Sequence, residues 1–223
     1  MSLAVNYHRW TYEVARRAIG ERVLEVGGGL GSFSRFLADR QRLVILDHDP
    51  DCTRHLRGRF GRHASVRILD ADILDPALPD ALRPERLDTA VCMNVLEHIE
   101  DDRAALRNIH RALQPGGRLI LLVPAHPSLY GTLDELVGHH RRYTRGEVKG
   151  KVRAAGFAVQ RCLYFNSVGA AGRYVIGRVR RQRETGKGQV RFYDRYVVPL
   201  LARAERVIPP PFGQSLVVVG RKT

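Results

Sequence analysis

The sequence predicts an α/β fold, a Rossmann-like doubly wound sheet with mostly parallel strands. Three observations carry that reading. Short apolar runs alternate with helical stretches up to residue 124, as when parallel strands are joined by helical crossovers. The first run, Val23-Leu24, meets the turn Glu25-Val26-Gly27-Gly28-Gly29-Leu30-Gly31 and then an amphipathic stretch, Ser32 to Ala38, that reads as a helix. Acids stand at the ends of successive runs, at Glu25, Asp47 and Asp72.

The glycine turn lets a ligand approach bare backbone. Glu25 at its entrance would repel a phosphate but pair with a cation. An adenine nucleoside carrying an ammonium and no pyrophosphate meets both conditions, and S-adenosylmethionine is such a molecule. A dinucleotide site would need G-x-G-x-x-G opening the helix. Counted from Gly27 the third glycine is replaced by Ser32, and counted from Gly29 by Ser34, so that pattern fails in both registers.

The second strand, Arg42-Leu43-Val44-Ile45-Leu46, ends at Asp47, followed by His48 in the polar turn Asp47-His48-Asp49-Pro50. An acid there accepts hydrogen bonds from ribose hydroxyls; the alternative is that it merely opens the turn. The third strand, Val66-Arg67-Ile68-Leu69, leads into Asp70-Ala71-Asp72-Ile73, where Asp72 suits an adenine amino group and Ile73 the ring face. The fourth, Leu87 to Cys92, runs into Met93-Asn94-Val95-Leu96-Glu97-His98-Ile99. Glu97-His98 resembles the start of a zinc H-E-x-x-H, but no second histidine follows at helical spacing. Asp101-Asp102 opens a helix with negative charge at its positive end, and Gln114-Pro115-Gly116-Gly117 stops it. Arg118 to Val123 is the fifth strand, ending at Pro124.

Taken together, VLEVGGGLGSFS, VILDHD, DADIL, DTAVCMNVLEHIEDD and LQPGGRLILLVP resemble the class I S-adenosylmethionine-dependent methyltransferases, in order across residues 20–124. The resemblance implies a seven-stranded sheet whose last strand is antiparallel. It implies that Glu25, Gly27, Gly29 and Gly31 shape a methionine pocket and that Asp47, beside His48, holds ribose. It also implies that Asp72 and Ile73 hold adenine and that Asn94 lies near the methionine moiety. Many relatives carry cysteine where this chain has Gly28, a place where any small residue is expected to fit.

At 223 residues the chain suits a single domain with a substantial core. Its expected parts are an N-terminal cover helix (1–19), a cofactor-binding core (20–124), an active-site loop (125–145) and a basic helical lid (164–212). Met1 to Trp10 shows no secretory pattern, no apolar run approaches the ~20 residues of a bilayer span, and Cys52, Cys92 and Cys162 lack C-x-x-C spacing. A cytoplasmic protein with reduced thiols is the expectation. The net charge of +14 is uneven. Residues 1–138 hold 18 lysines and arginines against 19 acids, residues 139–223 hold 19 against 4. An anionic partner for the second half follows: a small molecule with phosphate or carboxylate, a membrane surface, or nucleic acid.

After the fifth strand comes His126-Pro127-Ser128-Leu129-Tyr130-Gly131-Thr132-Leu133-Asp134-Glu135, then Val137-Gly138-His139-His140-Arg141-Arg142-Tyr143-Thr144. Leaving the carboxyl edge of the sheet, this segment should cross the mouth of the site. It resembles the GHYRRY stretch of a bacterial branch of the family, with His140 in place of the first tyrosine. His139 is the preferred general base, the arginine pair including Arg142 an anion clamp, and Tyr143 a wall with a hydroxyl. In the competing account His139 and Arg142 bond Asp134 or Glu135 and brace the loop. His126, His139 and His140 have no recognised metal spacing, and no metal is assigned.

Thr144-x-x-Glu147 is a capping box opening a helix to Ala154, and Phe157 to Leu163 is the sixth strand. Residues 173–195 carry eight basic and two acidic side chains, a segment suited to a lid or to an anionic membrane. Glu184 to Gln189 reads as a mobile loop. Phe192 to Ile208 reads as an amphipathic helix with Tyr196, Leu200 and Ala204 on its apolar face, and Ser215 to Gly220 is the seventh strand. The expected function is methyl transfer from S-adenosylmethionine, yielding S-adenosylhomocysteine, to a small or lipid-linked anionic acceptor at O or N. A nucleic-acid methyltransferase is the second class, weakened by the lack of an N/D-P-P-Y/F motif after the fourth strand. A catalytically silent cofactor-binding module at a membrane is the third.

Overall fold

A computed structural model describes residues 4–174 and 186–223, with side chains at 171–174 and 187 left aside. Seven strands form one sheet: β1 (Arg22–Val26), β2 (Arg42–Asp47), β3 (Val66–Asp70), β4 (Leu87–Met93), β5 (Leu113–Pro124), β6 (Phe157–Phe165) and β7 (Ser215–Lys222). Their order is β3-β2-β1-β4-β5-β7-β6, and β7 alone runs antiparallel to its neighbours β5 and β6. The expected doubly wound sheet with an antiparallel last strand is what forms.

Alternate side chains explain why the sheet is buried on both faces. Leu24, Val44, Leu46, Ala90 and Cys92 enter one apolar layer, while Val23, Leu43, Ile45 and Val91 enter the other. The first layer is closed by α3 (Leu78–Leu82), α4 (Asp102–Ala112) and α6 (Arg145–Ala154), the second by α2 (Pro50–Phe60) and the end of α1 (Val5–Ala15), while α5 (Thr132–Leu136) lies in the loop after β5. Asp49 caps α2 through the Asp51 N–H, Asp101 caps α4 through Ala104, and Thr144 caps α6 through Glu147.

Four expectations change. Ser32 to Ala38 holds only the short 3₁₀ turn Ser34–Phe36, closed by the i→i+3 bonds Phe36 N–H to Phe33 and Leu37 N–H to Ser34. Phe33 and Leu37 are both buried, and serines compete for the backbone, so the segment winds tightly. The Pro115-Gly116-Gly117 stop lies inside the start of β5 rather than in a separate turn. In the last helical run, α8 (Lys187–Phe192), a π turn (Tyr193–Val197) and α9 (Val198–Val207) follow one another. Pro199 cannot donate to the ladder, and the widened turn before it relieves its ring. The face that packs inward there is Asp194 and Val198; Tyr196 and Leu200, expected inside, are 54% and 66% exposed.

α7 (Ser167–Tyr174), α8 and α9 occupy the insertion between β6 and β7, and part of the expected mobile loop, Glu184 and Thr185, lies outside the described residues. Trp10 of α1 packs with Phe165, Val198, Leu122 and Val217, so it is a packing aromatic. Asp194 accepts the Asn6 and Tyr7 N–H groups at 3.0 and 2.8 Å, joining the chain's start to the insertion. Among the described residues no helix is long and apolar enough to cross a membrane.

At the amino ends of the strands Glu85 is 7% exposed and bonded to Arg42 (2.6 Å) and Arg67 (2.6 Å). Bonding to Arg42, with Arg67 adding, lowers its carboxyl to about 2. A depressed acid contributes stability above its unfolded value near 4.5 and loses it as pH falls toward 2. Glu85→Gln is expected to lower unfolding free energy at pH 7 by about 1.5–3 kcal/mol and to flatten the acid limb between those values. Urea titrations across pH check this; an unchanged acid limb would show that Glu85 does not set it.

Candidate active site

β1, β2, β4 and β5 deliver their carboxyl ends to one edge, with β1 flanked by β2 and β4, and antiparallel β7 brings its amino end there. The turn after β1 folds toward the end of β2. Gly27 and Gly28 both donate N–H to the Leu46 carbonyl (2.8 and 3.2 Å), and Gly29 donates to Asp47 Oδ2 at 2.7 Å. Gly27 has φ +76°, and a Cβ on it would stand 2.3 Å from Val95 Cγ2. At Gly28 a Cβ would stand 2.3 Å from Ile45 Cγ2 and 2.9 Å from Leu56 Cδ1. The expectation that any small residue fits there is thus corrected: only hydrogen does in this packing. Gly31 turns inward against Phe60 instead of facing a cavity.

Three adjoining cavities open on this edge. The first, about 190 Å³, is lined by Glu25, Gly27, Gly29, Asn94, Phe33 and Tyr7. The second, about 300 Å³, is lined by Gly27, Asp47, His48, Asp72, Ile73 and His98. The third, about 310 Å³, is lined by Asn94, Glu97, His139, Arg142, Asn166 and Tyr193, and again by Tyr7. Gly27 is shared by the first two and Asn94 by the first and third, so the expected cofactor residues other than Gly31 are brought together. Asn94 holds φ +53° with its N–H on the Leu122 carbonyl, a positive φ that asparagine tolerates better than most residues.

The electrostatics suit a cation beside Glu25. Its carboxyl is 3% exposed, and Oε2 has no hydrogen-bond partner among the described residues. Burial, with the Asp47 charge adding, pushes it up to about 8. A buried acid left so is costly unless a ligand completes it. Asp47 is 8% exposed, and its two oxygens accept from Gly29 and Asp49. Asp72 Oδ1 accepts from Leu74 N–H at 2.8 Å, which fixes the turn that carries Ile73.

On the acceptor side Asp134 is the hub. Fully buried, it accepts from His139 Nδ1 (2.8 Å), Arg142 Nε (3.0 Å) and Gly131 N–H (3.1 Å). The bracing account is therefore what the side chains do, and it leaves His139 Nε2 facing Glu97 Oε1 at 3.8 Å. The arginine clamp is corrected. Arg142 is held by Asp134 and the Ala125 carbonyl, Arg141 by Asp102 and the Glu100 carbonyl. Tyr143 is corrected too: it is fully buried in the core, its hydroxyl donating to Asp102 at 2.9 Å, and it does not line the cavity. His126 stacks on Tyr164, apart from His139. Glu97 was not expected as a cavity residue, while Tyr7 stands in the expected N-terminal cover and Asn166 and Tyr193 in the expected lid, without having been singled out there. Their approach depends on chain crossings, although Glu97 stands three residues beyond the singled-out Asn94.

A turn with an acid at its mouth, spanning the switch point of such a sheet, defines the class I S-adenosylmethionine-dependent methyltransferase architecture. Residues 7–161 match the methyltransferase-domain family, and the chain belongs to it. A probable S-adenosylmethionine-dependent methyltransferase of Mycolicibacterium smegmatis is 31% identical over 169 residues, which cover 74% of this chain and 63% of that protein. The chain thus matches less than two thirds of that relative's length. An S-adenosylmethionine dependent methyltransferase from Mesorhizobium loti has a TM-score of 0.65 at 19% identity, covering 96% of this chain and 98% of that one. The N-methyltransferase NodS from Bradyrhizobium japonicum, in complex with S-adenosylhomocysteine, has a TM-score of 0.62 at 17% identity, covering 97% and 86%. At those identities the likeness is one of fold.

An ammonium bound by Glu25 would need it as the anion, yet below about 8 the carboxyl holds its proton. Binding must expel that proton, so affinity for S-adenosylhomocysteine is expected to rise between pH 6 and 8, by up to about tenfold per unit. Calorimetry across that range checks it. Glu25→Gln should bind more weakly with a flat profile, and a flat wild-type profile would remove Glu25 as the ammonium partner.

Proposed function

We propose that this protein transfers the methyl group of S-adenosylmethionine to a small or lipid-linked anionic acceptor, at oxygen or nitrogen. The observation that carries the reading is the buried Glu25 carboxyl, one oxygen of which has no partner among the described residues, in a cavity that shares Asn94 and Tyr7 with a second one. When bound, the cofactor supplies a methyl group already activated on a sulfonium, so the chain's work is alignment. Glu25 and the bare backbone of Gly27 and Gly29 receive the methionine end. Asp47, with His48 at the rim, accepts from ribose hydroxyls, and its bond to Gly29 couples that contact to the turn. Asp72 accepts from the adenine amino group while Ile73 covers the ring. Asn94 stands at the boundary between donor and acceptor.

His139 is the acceptor-side residue. Asp134 fixes its ring, and Nε2 is the atom left to meet an acceptor proton or ligand. A cavity of about 310 Å³ is at the small end for ligand sites, which favours a small acceptor or the reacting end of a long one. The lipid-linked form is supported by Phe192 and Tyr196, 62% and 54% exposed, beside Arg191 and Arg195 in the basic segment 173–195. A nucleic-acid acceptor has no such support from the site.

Asp47→Ala is expected to abolish S-adenosylhomocysteine binding, measured by calorimetry. His139→Ala should leave that binding intact but lower methyl transfer by about 10²-fold, measured with labelled methyl donor and a panel of anionic acceptors. Absence of wild-type binding in folded protein would overturn the cofactor assignment, and unchanged turnover would free His139 of its role. For membrane contact, sedimentation with vesicles should need anionic lipid and weaken with salt. Equal sedimentation with neutral vesicles would contradict an electrostatic contact.

A further inference from the structure

Three lone-pair groups converge where the active-site loop meets the end of β4. The Glu97 carboxylate and the rings of His98 and His139 each offer one atom, and these atoms all lie within 4.8 Å of one another. The two rings stand edge to face, their centroids 4.7 Å apart. The loop is pinned to this place by the His140 N–H on the Glu97 carbonyl (2.8 Å) and by Tyr130, whose hydroxyl donates to the His139 carbonyl (2.8 Å).

Proton positions follow from the partners. His139 Nδ1 faces Asp134, a carboxylate already held by Arg142, and an ionised carboxylate only accepts. Nδ1 therefore carries hydrogen, and in the neutral ring Nε2 keeps its lone pair. His98 Nδ1 lies 3.2 Å from the Gly138 carbonyl, also only an acceptor, so the same tautomer follows. Glu97 is fully buried, and neither of its oxygens hydrogen-bonds another described residue. Both rings thus spend their Nδ1 hydrogens on outer acceptors, and no other described residue donates to the Glu97 oxygens. Each histidine also has the outer partner, carboxylate or carbonyl, that metal-bound imidazoles have.

We propose that Glu97, His98 and His139 bind one divalent transition-metal ion of the zinc class. Two imidazoles and a carboxylate leave positions open for water or a ligand. With bonds of about 2.0–2.1 Å, ligand atoms of a tetrahedral site stand roughly 3.3–3.5 Å apart. The present spacing reaches beyond that, so binding would draw the exposed His98 ring inward. Glu97 and His139 line the acceptor cavity, so an acceptor hydroxyl or carboxylate is the class that would complete the coordination. That last assignment rests on the methyl-transfer reading, whereas the binding of the ion does not. No metal was expected from the sequence because the second histidine does not follow Glu97-His98 along a helix; it arrives on the loop after β5.

The test is calorimetric titration of chelator-stripped full-length chain with Zn²⁺, and with Co²⁺ followed by visible absorption. One ion per chain is expected, with cobalt bands of a low-coordinate site. Glu97→Gln, His98→Ala and His139→Ala should each weaken binding by about tenfold or more, while His126→Ala, whose ring stacks on Tyr164, should bind as wild type. No stoichiometric binding, or wild-type affinity in Glu97→Gln and His98→Ala, would overturn the proposal and leave a proton shared between Glu97 and His139. S-adenosylhomocysteine titration of the same preparations separates the two readings. Zinc bound without that ligand would sink methyl transfer and not the metal site.

Discussion

The parallel pairing of β1 with β2 on one side and β4 on the other is the constraint from which the site follows. It aligns Val26 with Leu46 and with Cys92, so the three chains leave the sheet at one level. The Leu46 carbonyl, at the end of β2, is then within reach of the Gly27 and Gly28 N–H groups, and Asp47 within reach of Gly29. The turn and Asp47 are parts of one hydrogen-bonded junction, with Glu25 at its entrance. Its tolerance is small, since Ile45, Leu56 and Val95 close around the glycines. Core packing and ligand geometry are here the same atoms.

Apart from Asp47 and Asp194, which accept backbone N–H groups, the buried carboxylates are of two kinds. Glu85, Asp102 and Asp134 are surrounded by arginine, lysine, histidine or hydroxyl donors and hold elements together. Glu25 and Glu97 are as deeply buried, keep oxygens without donors and are both pushed up to about 8. Stability does not account for the second kind, because an apolar side chain would cost less in the same place. Both stand at the carboxyl edge, where a ligand's charge can complete them.

The basic second half is less a ligand clamp than its charge suggests. Arg141 and Lys151 converge on Asp102, Arg142 on Asp134, and Arg145 on the Cys162 carbonyl. These contacts brace the active-site loop and α6 against the sheet. Surface charge remains where α8 and the π turn show Arg191 and Arg195 beside exposed aromatic rings, on the face that helical periodicity alone assigned to the interior.

Local pattern by itself determined the strands, the starts of α4 and α6 and the acids at strand ends. Each depends on neighbours within a few residues: apolar runs, Asp101 and Thr144 before helical stretches, Glu25 before glycines. The methyltransferase motifs belong to this class too, and with them most of the expected residues that line the first two cavities. Only tertiary structure decided that Tyr143 is core, that Asp134 rather than solvent holds His139 and Arg142, and that Glu97 and His98 meet a histidine from another loop. It also decided which face of the last helix packs. Hydrogen bonding and hydrophobic periodicity act along the chain and can be read there. Burial and the meeting of charges depend on which distant segments close the same space, and no local pattern encodes that.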